Sequence, residues 1–432
     1  MRRQRGLIGL MGLAALVGLG LTPRLAAALG HPAGVTTEKS ASILVFPKVI
    51  ADGTRDTIIQ ITNTSNSIQH AHCFYVNGAL TDPTLPAGPQ NPPLWTEIDF
   101  DILLTKQQPT HWVVSTGRLD NPLDEPCRVG GKLNPCNPST SGQDDADCCD
   151  AGYDPGHVPP VVPDFTGELK CITVDSGGFP MTTNAIKGEA TLETLDTGDV
   201  SKYNAIGLVG NNLNNMDLVL CLGGDVSDVC PGFEYDACPQ TWLLDHPAIG
   251  AEDPVVVEQP FCTDPNTGNR INNCTSSVNT TLTVVPCTEN FETQKALPVT
   301  LQFLITNEYE QTFSTSTTFS CWASINLDDI DTIFDTDVIA GSILQTRMRT
   351  ASGYAGGVMA VLEETHSDSF TGAGGASFVA RNAQNAHAIG VCTTSDGLSK
   401  NGQGCTADVD CPAAFPLCRY HAADLITLPA EQ

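Results

Sequence analysis

The sequence predicts an all-β protein made of immunoglobulin-like β-sandwiches, two in number, with disulfide-rich insertions and a cysteine-rich tail. Three observations carry that prediction. Short β-branched and aromatic runs recur with a two-residue period, helix signals are almost absent, and 17 cysteines are spread over a 432-residue chain. About 400 residues remain once the targeting segment is set aside, more than one common β-domain holds.

The first 28 residues read as a signal peptide. Arg2, Arg3 and Arg5 give a positive start, an apolar run extends from Gly6 to Leu21, and Ala26 and Ala28 stand in the A-x-A arrangement that a signal peptidase reads. Leu29 is the expected mature start. The apolar run is shorter than the roughly 20 residues a spanning helix needs, and no Cys stands at the cleavage position to make a lipoprotein. No later stretch is long and apolar enough to cross a bilayer, so no transmembrane segment is expected after the signal peptide.

The clearest strand is Val299–Thr306. Val299, Leu301, Phe303 and Ile305 fall on one face, with Thr300, Gln302 and Thr306 on the other, as a half-buried strand requires. Similar runs stand at Ile43–Val49, Thr57–Thr62, His72–Val76, His111–Ser115, Leu169–Val174, Ala190–Leu192, Leu282–Val285 and Ile343–Met348. Gly, Pro, Asn and Asp clusters separate them, and many short strands with such links point to sandwiches rather than a parallel sheet. A weak repeat supports two units. Ile61-Thr62-Asn63 precedes Cys73-Phe74-Tyr75, and Ile305-Thr306-Asn307 precedes Cys321-Trp322. In each case a bridge packed against the neighbouring ring is expected. The division is placed near residue 255: a sandwich over 29–255 with a cysteine-rich insertion at 127–149, a second sandwich over 256–391, and a tail over 392–432; a single large sandwich built from both halves is the main rival. The insertion and the tail are expected to lie outside the sheets.

The disulfide candidates are Cys73, Cys127, Cys136, Cys148, Cys149, Cys171, Cys221, Cys230, Cys238, Cys262, Cys274, Cys287, Cys321, Cys392, Cys405, Cys411 and Cys418. In an oxidising compartment they pair, each bridge adding about 2–4 kcal/mol. Zinc needs paired C-x-x-C elements, and none is present. An odd number leaves at least one cysteine without an intramolecular partner. The net charge of −28, from 49 acidic and 21 basic residues, argues against nucleic acid and anionic lipid as partners.

The runs Thr57–Tyr75, Lys202–Gly207, Asn307–Thr318 and Gln345–Arg349 resemble those of exported β-rich proteins of environmental bacteria to which no activity is assigned. The resemblance implies export and a β-rich fold. The Cys392–Cys418 tail is similar to small cysteine-rich repeats of bacterial surface proteins.

Candidate chemistry is sparse. His70 and His72 share a strand face and could hold a metal with His111 as a third ligand; two hydrogen-bonded histidines are the plainer reading. Asp328, Asp329, Asp331, Asp335 and Asp337, like Asp144, Asp145, Asp147 and Asp150, could supply oxygens to a structural calcium, but the calcium-loop pattern is not met. Glu308 with Glu310, and Glu363 with Glu364, are carboxylate pairs without the facing geometry that glycoside hydrolysis requires. G-x-S-x-G, H-E-x-x-H and phosphate-loop signatures are missing, and Gly372–Gly375 reads as a turn. Asn63, Asn273 and Asn279 begin glycosylation-type triplets that mean little in a bacterial-type chain. No catalytic, cofactor-binding or metal residue is assigned. The expectation is a non-catalytic binding or structural protein, secreted, periplasmic or on the cell surface, whose partner is a protein or glycan of the cell exterior. The rivals are a secreted hydrolase with a dispersed site and a periplasmic metal-binding protein.

Overall fold

In the computed structural model, residues 35–82, 84–85, 91–118, 128–129, 132–133, 155–211, 217–223, 234–251, 274–294, 298–352, 356–370, 379–394, 400–406, 408–420 and 422–430 are described. The segment expected to be a signal peptide, Asp144–Asp150, Asn273, Gly372–Gly375 and Cys127, Cys136, Cys148, Cys149, Cys230 and Cys262 lie outside them.

The chain is nearly all β. A six-stranded sheet runs in the order β1 (Val35–Thr36), β12 (Ile206–Leu208), β2 (Ile43–Ala51), β9 (Phe165–Val174), β4 (Gln69–Asn77), β5 (Thr96–Leu104). It stacks on a four-stranded sheet, β11 (Val200–Asn204), β10 (Ile186–Thr194), β3 (Arg55–Asn63), β6 (Pro109–Val113). Trp112 and Tyr75 meet between these layers, the indole Nε1–H donating to the phenol oxygen at 2.6 Å, so two polar atoms are satisfied inside an apolar core.

The second pair of layers contains a seven-stranded sheet, β18 (Thr312–Ser320), β17 (Pro298–Asn307), β20 (Ile343–Thr350), β14 (Thr241–Pro247), β23 (His387–Thr393), β24 (Lys400–Cys405), with β25 (Leu417–Arg419) also on β23. Facing it are β19 (Ala323–Asn326), β15 (Cys274–Pro286), β21 (Val358–Phe370) and β22 (Val379–Asn385). A small sheet of β13 (Val219–Gly223), β26 (Ala423–Thr427) and β16 (Glu289–Asn290) joins the two parts, and β7 (Arg128–Val129) with β8 (Lys132–Leu133) forms a separate hairpin. The strand expected at Val299–Thr306 is β17, with Val299, Leu301, Phe303 and Ile305 all buried.

Three expectations are corrected. Sheet membership changes upstream of residue 255, because β14 pairs with β20 and β23 rather than with earlier strands. The cysteine-rich tail is not outside the sheets. β24 and β25 extend the seven-stranded sheet through β23, β26 pairs with both β13 and β16, and Ile426 and Leu428 are buried. Cys321 is free and buried, so the bridge read from the Cys321-Trp322 repeat does not form. Its counterpart Cys73 bonds Cys171, directly opposite on the neighbouring strand of the same sheet. Cys238–Cys287, Cys392–Cys411 and Cys405–Cys418 are also bridged, and Cys221 is disulfide-bonded.

The two halves are pressed together. Trp322 donates its Nε1–H to the Pro47 carbonyl at 2.7 Å, and its ring lies where a Cβ on residue 78 would stand, within 2.6 Å, so the approach requires Gly78. Asn385 and Asn204 exchange hydrogen bonds, and the Asp199 carboxylate accepts from the Arg381 amide.

Candidate functional site

The sequence candidates are not brought together. His70 and His72 lie on β4 and each meets an acid of β5: His70 Nε2 is 3.1 Å from Asp101 and His72 Nε2 is 3.2 Å from Asp99. Burial opposes the Asp101 carboxylate, but the hydrogen bond from His70 and the charges of both histidines lower its pKa. Next along β5, burial and the neighbouring Asp99 push Glu97 up to about 7. His111 is exposed on the four-stranded sheet, where it alternates with inward-facing Trp112, so it does not join the other two. Asp328 and Asp329 occupy a one-turn helix, Asp331 accepts from Ile333 and Thr315, and Asp335 accepts from the Asp337 amide. These carboxylates hold turns separately. Glu308 and Glu310 are exposed at the β17–β18 turn, with Glu308 accepting from the Ser342 amide at 2.7 Å. Of the last pair, Glu364 is only half-buried and accepts from Gln384, whereas Glu363 is buried among cations.

Glu363 is the centre of a buried ionic site. Pro47 cannot donate to a ladder, and it sits where the register of β2 shifts between Phe46 and Val49. Lys48, in the same irregularity, places Nζ 2.7 Å from Glu363 Oε2. Arg55 grips the same carboxylate with both Nη atoms, at 2.8 and 2.5 Å, and Ser201 donates at 2.6 Å. Burial opposes the Glu363 carboxylate, yet Lys48 and Arg55 outweigh it and hold its pKa far below the ordinary range. Burial also lowers Lys48, against the pull of Glu363.

A second buried site lies on the covered outer face of the six-stranded sheet. Lys170 and Glu168 point the same way from β9, and Phe74, opposite Lys170, stacks on Phe291 at 4.3 Å. Lys170 Nζ is 2.7 Å from Glu168 Oε2 and 2.5 Å from Glu289 Oε2. Burial pushes Glu289 up, the Glu168 charge pushes it further, and it rests well above the carboxylate range. Neither site was assigned from sequence. The available signal was a charged residue inside an otherwise apolar strand: Lys48 in β2, and Glu168 and Lys170 in β9.

The outward face of the seven-stranded sheet is different. β18 presents Thr312, Ser314, Ser316 and Thr318, and β17 presents Thr300, Gln302, Leu304 and Thr306. β20 adds Gln345, Arg347 and Arg349. Neither β17 nor β18 carries a charged residue. Arg349 Nε donates to Gln302, Gln345 donates to Asp245, and the Thr300 and Thr318 hydroxyls are 2.8 Å apart. A cavity of about 370 Å³ lies nearby, lined by Val35, Ile206, Trp242, Ala388, His387 and Tyr420 among others, and its lining carries no carboxylate.

The fold and sites thus define a disulfide-bonded, nearly all-β protein in which two stacked sheet pairs are joined through buried ions. No protein-family model matches the chain, and no curated protein is similar to it. No helix among the described residues is long and apolar enough to cross a membrane.

Proposed function

We propose that the chain is an exported, non-catalytic protein that binds a protein or glycan of the cell exterior through the open face of its seven-stranded sheet. The observation that carries this reading is an outward face of three adjacent strands made of hydroxyls, amides, two guanidinium groups and the exposed Leu304, on a chain of net charge −28. Short hydroxyls and amides on a rigid sheet lose little freedom when they bind, and arginines recognise carboxylates in a fixed geometry. The signal-peptide pattern at residues 1–28 and the wealth of cysteines support export to a secreted, periplasmic or surface location.

The test uses the purified mature protein, fluorescently labelled, on intact cells and on isolated envelope glycans. Arg349→Glu with Gln302→Ala is expected to weaken binding at least about tenfold, or about 1.4 kcal/mol, with an unchanged melting temperature. Unaltered binding by that variant overturns the assignment to this face. Turnover of a glycan or peptide substrate by the purified protein overturns the non-catalytic reading.

A further inference from the structure

The Glu168–Lys170–Glu289 site has the arrangement of a condensation centre, and we propose that Lys170 and Glu289 become joined by an intramolecular amide between Nζ and Cδ, with Glu168 accepting the proton. The geometry begins with proximity. Nζ is 2.5 Å from Glu289 Oε2 and 2.7 Å from Glu168 Oε2, and Glu168, Lys170 and Glu289 are 0%, 1% and 3% exposed. The amine and the carboxyl carbon therefore need no encounter, and water is kept from the site.

The site is unsettled as an ion cluster. One ammonium faces two carboxyls, and the Oε1 atoms of both Glu168 and Glu289 are buried without a hydrogen-bond partner. Burial, reinforced by the Glu168 charge, raises the Glu289 carboxyl well above its ordinary value and so favours the form whose hydroxyl can leave as water. Burial disfavours the Lys170 ammonium, while Glu168 and Glu289 restore it and raise its pKa, so the amine is freed only by handing a proton to an immediate neighbour. Glu168 is that neighbour.

The atoms balance without a co-reactant. Lys170 passes one proton to the Glu168 carboxylate, and the freed amine attacks Cδ of protonated Glu289. The Nζ–Cδ bond forms and one Cδ–O bond breaks. The second proton lost by nitrogen leaves with the Glu289 hydroxyl as water, and the first remains on Glu168. An ammonium and a carboxylate are replaced by a neutral amide and a neutral acid, which removes the buried charges that make the site costly.

The bond fastens β9 to β16, across a sequence separation of 119. This inference is independent of the binding role proposed above. Its test is the intact mass of the purified exported protein after complete reduction and alkylation, which must not count the disulfides. The expected result is a chain lighter by one water, with tryptic mapping that finds no cleavage after Lys170 and a branched peptide containing Lys170 and Glu289. Lys170→Arg and Glu168→Gln are expected at full mass. Glu289→Gln distinguishes condensation from any other dehydration, since closure there releases ammonia in place of water. A wild-type chain at full mass, cleaved by trypsin after Lys170, overturns the proposal. So does a water loss that persists in Lys170→Arg.

Discussion

Lys48 and Lys170 are both buried lysines held by a glutamate from a distant strand, yet their surroundings assign them opposite chemistry. Lys48 shares Glu363 with Arg55, so two cations face one carboxylate. Lys170 shares its charge between Glu168 and Glu289, so two carboxyls face one cation. An excess of positive charge keeps Glu363 ionised, and a carboxylate is inert to amines because its oxygens do not leave. An excess of acid raises Glu289 well above the carboxylate range and places a proton acceptor against the amine. The lesson is that a buried lysine–glutamate contact is an ionic strut or a reactive pair according to the third group present.

The largest effect is expected from breaking the strut. Glu363→Ala leaves Lys48 buried and Arg55 half-buried without their carboxylate, and removing one partner of a buried pair costs about 3–5 kcal/mol. Denaturant titration is expected to show that loss in a single cooperative transition, because the site lies between the two halves. Two separate transitions contradict the coupling of the halves. The site also has a pH signature. Glu363 has a folded pKa below its unfolded value of roughly 4.3, so its contribution is present above that value and disappears as the pH falls through the folded pKa. Glu363→Gln is therefore expected to flatten the acid limb of the stability curve.

A smaller loss is expected when the reactive pair is disarmed. Lys170→Arg keeps the charge but cannot close the amide, and opening a loop of this size costs about 2–4 kcal/mol by analogy with disulfides. The measurement is the melting temperature of reduced protein, wild type against variant. Equal values would show that the cross-link adds no constraint.

Asp424 sharpens the comparison at a third position. Burial pushes its carboxyl up to about 7, despite hydrogen bonds from Thr288 and the Gly357 amide, and with Lys170 pulling the other way. A folded pKa raised above the unfolded value of roughly 3.9 gives stability that is present at low pH and lost as the pH rises toward 7. Asp424→Asn is expected to be more stable than wild type at pH 8 by at most about 4 kcal/mol and indistinguishable near pH 4. The difference should widen where Lys170 is an amide, because its opposing charge is then gone.

The strands were legible where alternation was strong. β17 could be read residue by residue, because four apolar side chains share its inner face. β18 could not, since its Thr–Ser sequence has no such contrast and it is held by pairing with β17. The expected division near residue 255 failed because β14 owes its place to β20, about a hundred residues later, which no local pattern encodes. The buried sites were half visible. Charges inside β2 and β9 break an apolar run, but their partners Glu363 and Glu289 are fixed only by tertiary packing. The Cys321-Trp322 match misled because Trp322 packs against Gly78 and Pro47 of the other half, leaving its neighbouring thiol unpaired.

Cys321 supplies the smallest expected effect and the finest test of the contrast between the two lysines. It feels the charges of Glu168, Glu289 and Lys170, and it is a second nucleophile type in the same surroundings. Burial pushes its thiol well above the usual range, with Glu289 and Glu168 adding to the shift. The thiolate is the reactive form, so at neutral pH the sulfur is silent while the lysine still has Glu168 to take its proton. Cys321→Ala is expected to cost about 1 kcal/mol as a small buried truncation, and to leave the loss of water at Lys170 unchanged. Alkylation without reduction checks the other half of the argument: native protein at pH 8 should leave Cys321 unmodified, and denatured protein should modify it. Rapid labelling of Cys321 in the native protein would mean that this interior is open to solvent. It would also remove the exclusion of water on which the Lys170–Glu289 condensation depends.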